Sequence, residues 1–244
     1  MSEKPYNPRP WSYSREKCFL ECERRYWLGY VQGVEFAPSA AMRRGSEKHA
    51  MFEALVQGKE VEGMDADDMA AWNRVEPLVR DEQVETEKEL AVDAFRMPVD
   101  YDSPDAFLRG KLDVISGGLI IDWKMGQSMM YDQRQADIYA ILLSAKGDVC
   151  WPLTVSFVFP YIKPECSGTD FVSFGPYCYD PKGMRDIWDL MQSELMALET
   201  EIGKKNPADK EDWAPNPAGC SGCGVWASCD FCNGDHITKI LEAV

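Results

Sequence analysis

The residue order predicts an α/β or α+β chain built on a central mixed β-sheet flanked by helices, with a helical N-terminal part and a cysteine-rich C-terminal tail. Three observations carry that expectation. Apolar residues recur at the helical spacing of three or four near the start of the chain, and several strand-like segments bounded by turn residues follow. Four of the nine cysteines crowd together near the end. The 244 residues, 45% hydrophobic and 27% charged, suffice for one sizeable core with a smaller appendage, and they fit neither disorder nor a coiled coil.

Each element has its own reason. From Ser14 to Tyr30, Phe19, Cys22, Tyr26 and Tyr30 fall at helical intervals with Arg15, Lys17, Arg24 and Arg25 between them. A second helix over about Ala40 to Gln57 places Gly45, His49, Phe52 and Glu53 on one side, and a third over Asp65 to Arg80 begins with acids that suit a helix N-terminus. Strands are expected at about Glu89 to Phe95, Ala106 to Ile115 and Leu119 to Lys124, the last two joined by a hairpin turn at Ser116-Gly117-Gly118. Tyr131 to Ala145 reads as a helix, followed by strands at Leu153 to Tyr161 and Asp170 to Tyr179. A long helix runs over Pro181 to Ile202, its proline at a permitted early position. We expect one domain over 1–244: N-terminal helices over 12–57, a core over 84–203 and a cysteine-rich tail over 204–234.

Composition also bounds the environment. The first residues lack an apolar targeting region, and the uncharged apolar stretch around Val149 to Ile162, broken by Pro152 and Pro160, is too short to span a bilayer. A soluble cytoplasmic protein without membrane contact is expected. The formal charge of −15 argues against non-specific nucleic-acid binding, but its distribution is uneven. Residues 60–105 hold fifteen acids against four bases, and the first fifty residues nine bases against six acids. A basic groove facing away from an acidic back is consistent with that, the acidic 60–105 segment offering a surface to a protein partner.

The most informative stretch runs from Arg109 through Asp113 and Asp122 to Lys124. In a strand, residues two apart face the same side about 7 Å apart, so Asp122 and Lys124 project together while Ile121 and Trp123 face the other way. A short hairpin brings Asp113 alongside Asp122. Two carboxylates so close repel unless a cation sits between them, and hard oxygen ligands with an open position suit Mg²⁺ or Mn²⁺. Such an ion lowers the pKa of bound water and stabilises charge on a phosphoryl oxygen, and a neighbouring ammonium orients the water. A second acid-x-Lys triplet, Asp180-Pro-Lys182, reads as a strand exit and helix entry without chemistry.

These residues resemble, in order, the motifs of the RecB-like branch of the PD-(D/E)xK nucleases, which contains the nuclease domains of RecB and AddB and the RecB-like nuclease of CRISPR adaptation. Arg44-Gly45 through His49 and Glu53 resembles the first motif, Gly110-Lys111-Leu112-Asp113 the second, and Ile121-Asp122-Trp123-Lys124 the third. Gln135 and Tyr139 resemble the Gln-x-x-x-Tyr helix that contacts DNA or braces the site. The resemblance covers about Ser12 to Cys229 and implies a restriction-endonuclease-like core. It further implies a metal-dependent DNA nuclease, an exonuclease acting on ends and leaving 5′-phosphates, with His49, Asp113 and Asp122 as metal ligands and Lys124 assisting the attacking water. On charge, the arginines Arg15, Arg24, Arg25, Arg43 and Arg44 are the expected DNA contacts, the 60–105 segment facing elsewhere. Glu53 and Glu89 are expected on a solvated face.

Cys220-x2-Cys223-x5-Cys229-x2-Cys232 is compact enough to hold Zn²⁺ by itself. The resemblance implies a different grouping, in which Cys22 joins Cys220, Cys223 and Cys229 to hold a [4Fe-4S] cluster as a structural element. Cys18 and Cys232 are alternative fourth ligands, and Cys150, Cys166 and Cys178, in or beside expected strands, are expected as buried small apolar residues. Two other functions compete with hydrolysis: a catalytically idle DNA-binding or protein-interaction module on the same scaffold, and an iron-sulfur electron carrier, for which no second redox site is visible.

Overall fold

A single mixed sheet organises the middle of the chain. In the computed structural model, which describes residues 6–80, 83–126, 129–147, 149–162, 172–216, 218, 223–225 and 228–229, the strands are β1 (Val84–Val92), β2 (Pro98–Val99), β3 (Leu108–Ser116), β4 (Leu119–Trp123), β5 (Leu153–Phe159) and β6 (Val172–Tyr179). Their order is β2-β1-β3-β4-β5-β6, with β4 and β5 parallel and every other pair antiparallel. The helices are α1 (Tyr13–Glu21), α2 (Glu23–Tyr26), α3 (Ala40–Val56), α4 (Ala66–Val75), α5 (Gln133–Ala145) and α6 (Pro181–Ile202). Helices around a mixed sheet match the restriction-endonuclease-like architecture expected from the sequence. No helix among the described residues is long and apolar enough to cross a membrane.

Packing divides the chain into two compact units, residues 1–40 with 192–244, and residues 41–191. In the first, early residues of the chain meet residues from its last quarter. Glu199 accepts hydrogen bonds from Arg9 at 2.7 and 2.8 Å and from Trp11 Nε1 at 2.9 Å, and Tyr26 stacks on Trp213. The expected Ser14–Tyr30 helix is broken here. Cys22 takes an extended conformation (φ −162°, ψ 104°), ends α1 with its N–H on Cys18 O, and starts α2 by accepting from Arg25 N on Sγ. A π-helical turn over Trp27–Val31 follows. Side-chain capping at Cys22 supplies what helical periodicity cannot reveal, a second N-terminus inside one amphipathic run.

The second unit carries the sheet. β3 and β4 form the expected hairpin, Ser116 opposite Leu119, and Gly117 takes φ +58° as the tight turn requires. The buried Val114, Ile121, Trp123 and Val158 pack with Phe52 of α3 and Ala71 and Val75 of α4. Asp65 caps α4 in a reciprocal capping box with Asp68, fulfilling the expectation of acids at that start. α4 stops at Val75, short of Arg80, because Pro77 follows and the chain tightens into a 3₁₀ turn over Glu76–Leu78. α5 is buried along most of its length and packs on β1, β3, β5 and β6. Gly110 lets it come close: a Cβ there would lie 2.8 Å from Leu142 Cδ1. Asp180 accepts from Lys182 N and Gly183 N at the start of α6, so the second acid-x-Lys triplet is a helix entry as expected.

β1 departs furthest from expectation. It begins at Val84, five residues before Glu89, because its first half alternates acids with Thr86 and Lys88 and lacks an apolar face that would announce a strand. Its ladder with β3 pairs Thr86 with Val114 and Lys88 with Leu112, with Glu87 and Asp113 between them. Glu87 takes φ +50°, a left-handed conformation that costs a non-glycine residue about 1–3 kcal/mol.

Candidate metal-dependent active site

Asp113 sits on β3, its side chain 15% exposed. Its Oδ2 accepts a 2.8 Å hydrogen bond from Trp123 N, so the β4 backbone fixes the carboxylate. The same oxygen lies 3.5 Å from His49 Nδ1, supplied by α3. Burial, and then the charge of Asp122, push the Asp113 carboxyl well above the usual carboxylate range, an effect the Trp123 N–H only partly offsets. Burial lowers the His49 imidazole below its ordinary value despite the raising influence of Asp122 and Glu87. At neutral pH His49 is therefore an uncharged ring with a lone pair to offer.

Asp122, next to last in β4, is only 3% exposed, inside a network from α5. Its Oδ1 accepts from Gln135 Nε2 at 2.9 Å and from Tyr139 OH at 3.0 Å. Gln135 Nε2 also donates to Tyr139 OH at 2.7 Å. Asp122 Oδ2 is buried without an aligned hydrogen bond but lies 2.7 Å from Lys124 Nζ, which donates to Gln135 Oε1 at 2.9 Å. Asp122 and Lys124 thus project together, as alternation on the strand requires, while Ile121 and Trp123 enter the apolar cluster. Burial first, and then Asp122, raise the Tyr139 phenol well above its ordinary value, so it remains a donor to that carboxylate.

One member of the site escaped the sequence reading. His49, Glu87 and Asp113 each offer a ligand atom, all within 4.8 Å of one another. Glu87 comes from the acidic 60–105 segment, so the expectation that this segment faces elsewhere is corrected at β1: a strand beginning at Val84 turns one of its acids toward His49 and Asp113. The signal was acids at every second position over Glu85, Glu87 and Glu89, without an apolar partner set to mark the strand. Glu87 is ion-paired with Lys111, whose ammonium Glu87, against a smaller opposing effect of burial, holds above its ordinary pKa. Glu89 is exposed, whereas Glu53 is half-buried and accepts from Gln57 Nε2 at 3.0 Å.

The donor set fits a hard divalent cation: carboxylate oxygens, a neutral imidazole nitrogen, and a half-buried carboxyl whose proton affinity is raised by desolvation and then by a second carboxylate. Metal binding must then release the Asp113 proton. Asp113 is surrounded by Asp122, Glu87, His49 and Lys124, and its raised pKa favours the protonated native state. Without metal, stability is expected to fall as pH rises from the ordinary carboxylate value through the raised one, since the native state there binds the extra proton. Saturating Mg²⁺ should remove that decline. Thermal melts across pH with Mg²⁺ and with chelator check this; parallel curves would contradict it.

The other expected residues scatter. Arg43 and Arg44 are exposed on α3 in the second unit. Arg24 is drawn into the interior of the first unit, where its Nε donates to Trp213 O at 2.9 Å, a correction to its reading as a DNA contact. Arg25 donates to Glu21 and to Cys18 Sγ, and Arg15 to Pro10 O. Among the cysteines, Cys223 and Cys229 are buried with Leu28 and Val225. Cys22 Sγ accepts from Arg25 N and Asn216 N, both at 3.4 Å. Cys166, Cys220 and Cys232 lie outside the described residues; Cys150 and Cys178 are exposed, contrary to their reading as buried apolar residues.

A mixed sheet that presents an acid, acid, lysine set with a histidine beside it defines the class of metal-dependent nucleases. The family model of the PD-(D/E)XK nuclease superfamily matches residues 10–230, and the chain belongs to that superfamily. No curated protein matches the chain. Among the solved structures that do is that of SSO0001, at 15% identity, covering 91% of this chain and 82% of that one with a TM-score of 0.40.

Proposed function

We propose that the chain is a Mg²⁺- or Mn²⁺-dependent DNA nuclease of the RecB-like branch, acting as an exonuclease on DNA ends. One observation carries this reading: Lys124 Nζ is held between Oδ2 of the buried Asp122 and Gln135 Oε1, with Asp113 and His49 alongside. His49, Asp113 and Asp122 are the residues that would hold the ion, whose chemistry when bound is to lower the pKa of water and neutralise charge on a phosphoryl oxygen. Lys124 orients the attacking water and adds positive charge at the phosphate. Gln135 and Tyr139 serve Asp122, fixing Oδ1 so that Oδ2 keeps one direction.

The cysteines belong to a separate structural device. We infer a [4Fe-4S] cluster on Cys22, Cys220, Cys223 and Cys229, with Zn²⁺ as the alternative occupant. The burial of Cys223 and Cys229 and the two N–H groups aimed at Cys22 Sγ support it, since such bonds stabilise a ligating thiolate. For the 60–105 segment a protein partner is proposed, supported by Phe95, 85% exposed, and Met97, 60% exposed, on the turn between β1 and β2.

The deciding experiment is degradation of end-labelled linear and closed circular DNA with Mg²⁺, with Mn²⁺ and with chelator. Metal-dependent loss of linear DNA alone is expected. DNA binding without cleavage in any metal would instead favour the idle module. Reversal of charge at Arg43 and Arg44 to Glu should weaken DNA binding by about tenfold at low salt and flatten its salt dependence. Unchanged affinity in a fluorescence-anisotropy titration would remove this helix from the DNA contact.

A further inference from the structure

Resting on the nuclease reading, we propose that Glu87 is a ligand of the hydrolytic metal and that Lys111 is a positioning residue, the resident counter-cation that the metal displaces from it. The motif resemblance gives neither residue a role. Four observations converge. Glu87 lies across from Asp113 between two ladder pairs of β1 and β3. Its ligand atom shares the 4.8 Å grouping with His49 and Asp113. Its backbone is held at φ +50°, a conformation that glycine adopts freely and glutamate does not, so the side chain is placed there against a local cost. The carboxylate is already engaged by a cation, the ammonium of Lys111, which is 47% exposed and free to swing into solvent on a flexible stem.

The consequence is ion exchange on one carboxylate. With Lys111 on Glu87, the group beside His49 and Asp113 is partly neutralised before any metal arrives. A divalent ion taking the same carboxylate releases an ammonium that hydrates well at the surface. Lys111 therefore sets the metal concentration at which the site fills: it competes for Glu87, and it keeps an acid from standing uncompensated beside two others in the empty site. A merely structural ion pair predicts the reverse, because removing Lys111 would loosen β1 and could only weaken the site.

The test is calorimetric titration of the full-length protein with MnCl₂ in the absence of DNA, alongside thermal melts. Lys111→Met should bind Mn²⁺ on the order of threefold to tenfold more tightly, and Lys111→Arg, which keeps the pair, should stay near the parent. Glu87→Gln should bind at least about tenfold more weakly. Glu87→Gly should lose the same affinity while melting no lower than Glu87→Gln, since glycine relieves the strained backbone. Unchanged or weaker binding by Lys111→Met overturns the competition, and parent-like binding by both Glu87 variants overturns the ligand. Should a Glu87 variant not fold, the Lys111 pair decides alone. A parent that binds Mn²⁺ but never cuts DNA defeats only the nuclease reading; a parent that cuts while the titrations stay flat across the variants defeats only this one.

Discussion

Lys124→Ala is expected to lower metal-dependent DNA cleavage by about a hundredfold or more while leaving the fold and DNA affinity in place. The size of the effect follows from where the ammonium is held. Its two partners, Asp122 Oδ2 and Gln135 Oε1, come from β4 and α5, so the charge is preorganised before a phosphate arrives. Asp122→Ala and Asp113→Ala should each lose at least as much, because they remove donors the cation requires. They should differ in stability, however. Asp113→Ala removes a carboxyl that burial already disfavours in its charged form, whereas Asp122→Ala strips Gln135, Tyr139 and Lys124 of their common acceptor inside a buried network and should melt lower. Cleavage rates at saturating Mg²⁺, circular dichroism, thermal midpoints and anisotropy measured on all three variants separate chemistry from folding. Full activity in Asp122→Ala would remove the site assignment altogether.

Cys229→Ser is expected to produce the second large effect, of the opposite kind. The inferred cluster joins Cys22 to Cys220, Cys223 and Cys229, closing a loop of nearly the whole chain, and metal bonds of that sort contribute directly to folding. The variant should lose visible absorbance and solubility, and its thermal midpoint should drop on the order of 10 °C. Hydrolysis needs no electron transfer, so any loss of cleavage should track loss of folded protein. A colourless, fully stable and fully active variant would refute the cysteine reading. A stable, DNA-binding but inactive one would mean that the cluster takes part in chemistry.

Asp113, Asp122 and Lys124 were legible because their chemistry is written locally: charges bordering an apolar strand, a two-residue alternation and a two-glycine turn. The α5 contribution was legible as a spacing, Gln135 and Tyr139 one helical turn apart, but whether they face outward or inward depends on the parallel placement of β4 and β5, which no local pattern encodes. Glu87 was illegible for a related reason. Its strand pairs along an edge without an apolar face, so nothing in residues 84–88 distinguishes a ligand-bearing strand from a solvated acidic tract. Cys22 was legible as a thiol and not as a helix break, since a side-chain cap inside an amphipathic run leaves the periodicity intact on both sides.

The unit formed by residues 1–40 and 192–244 has a history imposed by synthesis. Its first segment leaves the ribosome about 150 residues before its second, a delay of about 8–30 s at ordinary elongation rates. Throughout that interval Trp11 and Tyr26 exist without Glu199 and Trp213, the groups that later satisfy the indole N–H and cover the phenol ring. The sheet-bearing middle has its complete sequence by then and is free to fold, while the aromatic residues of the N-terminal stretch still wait for the partners that cover them.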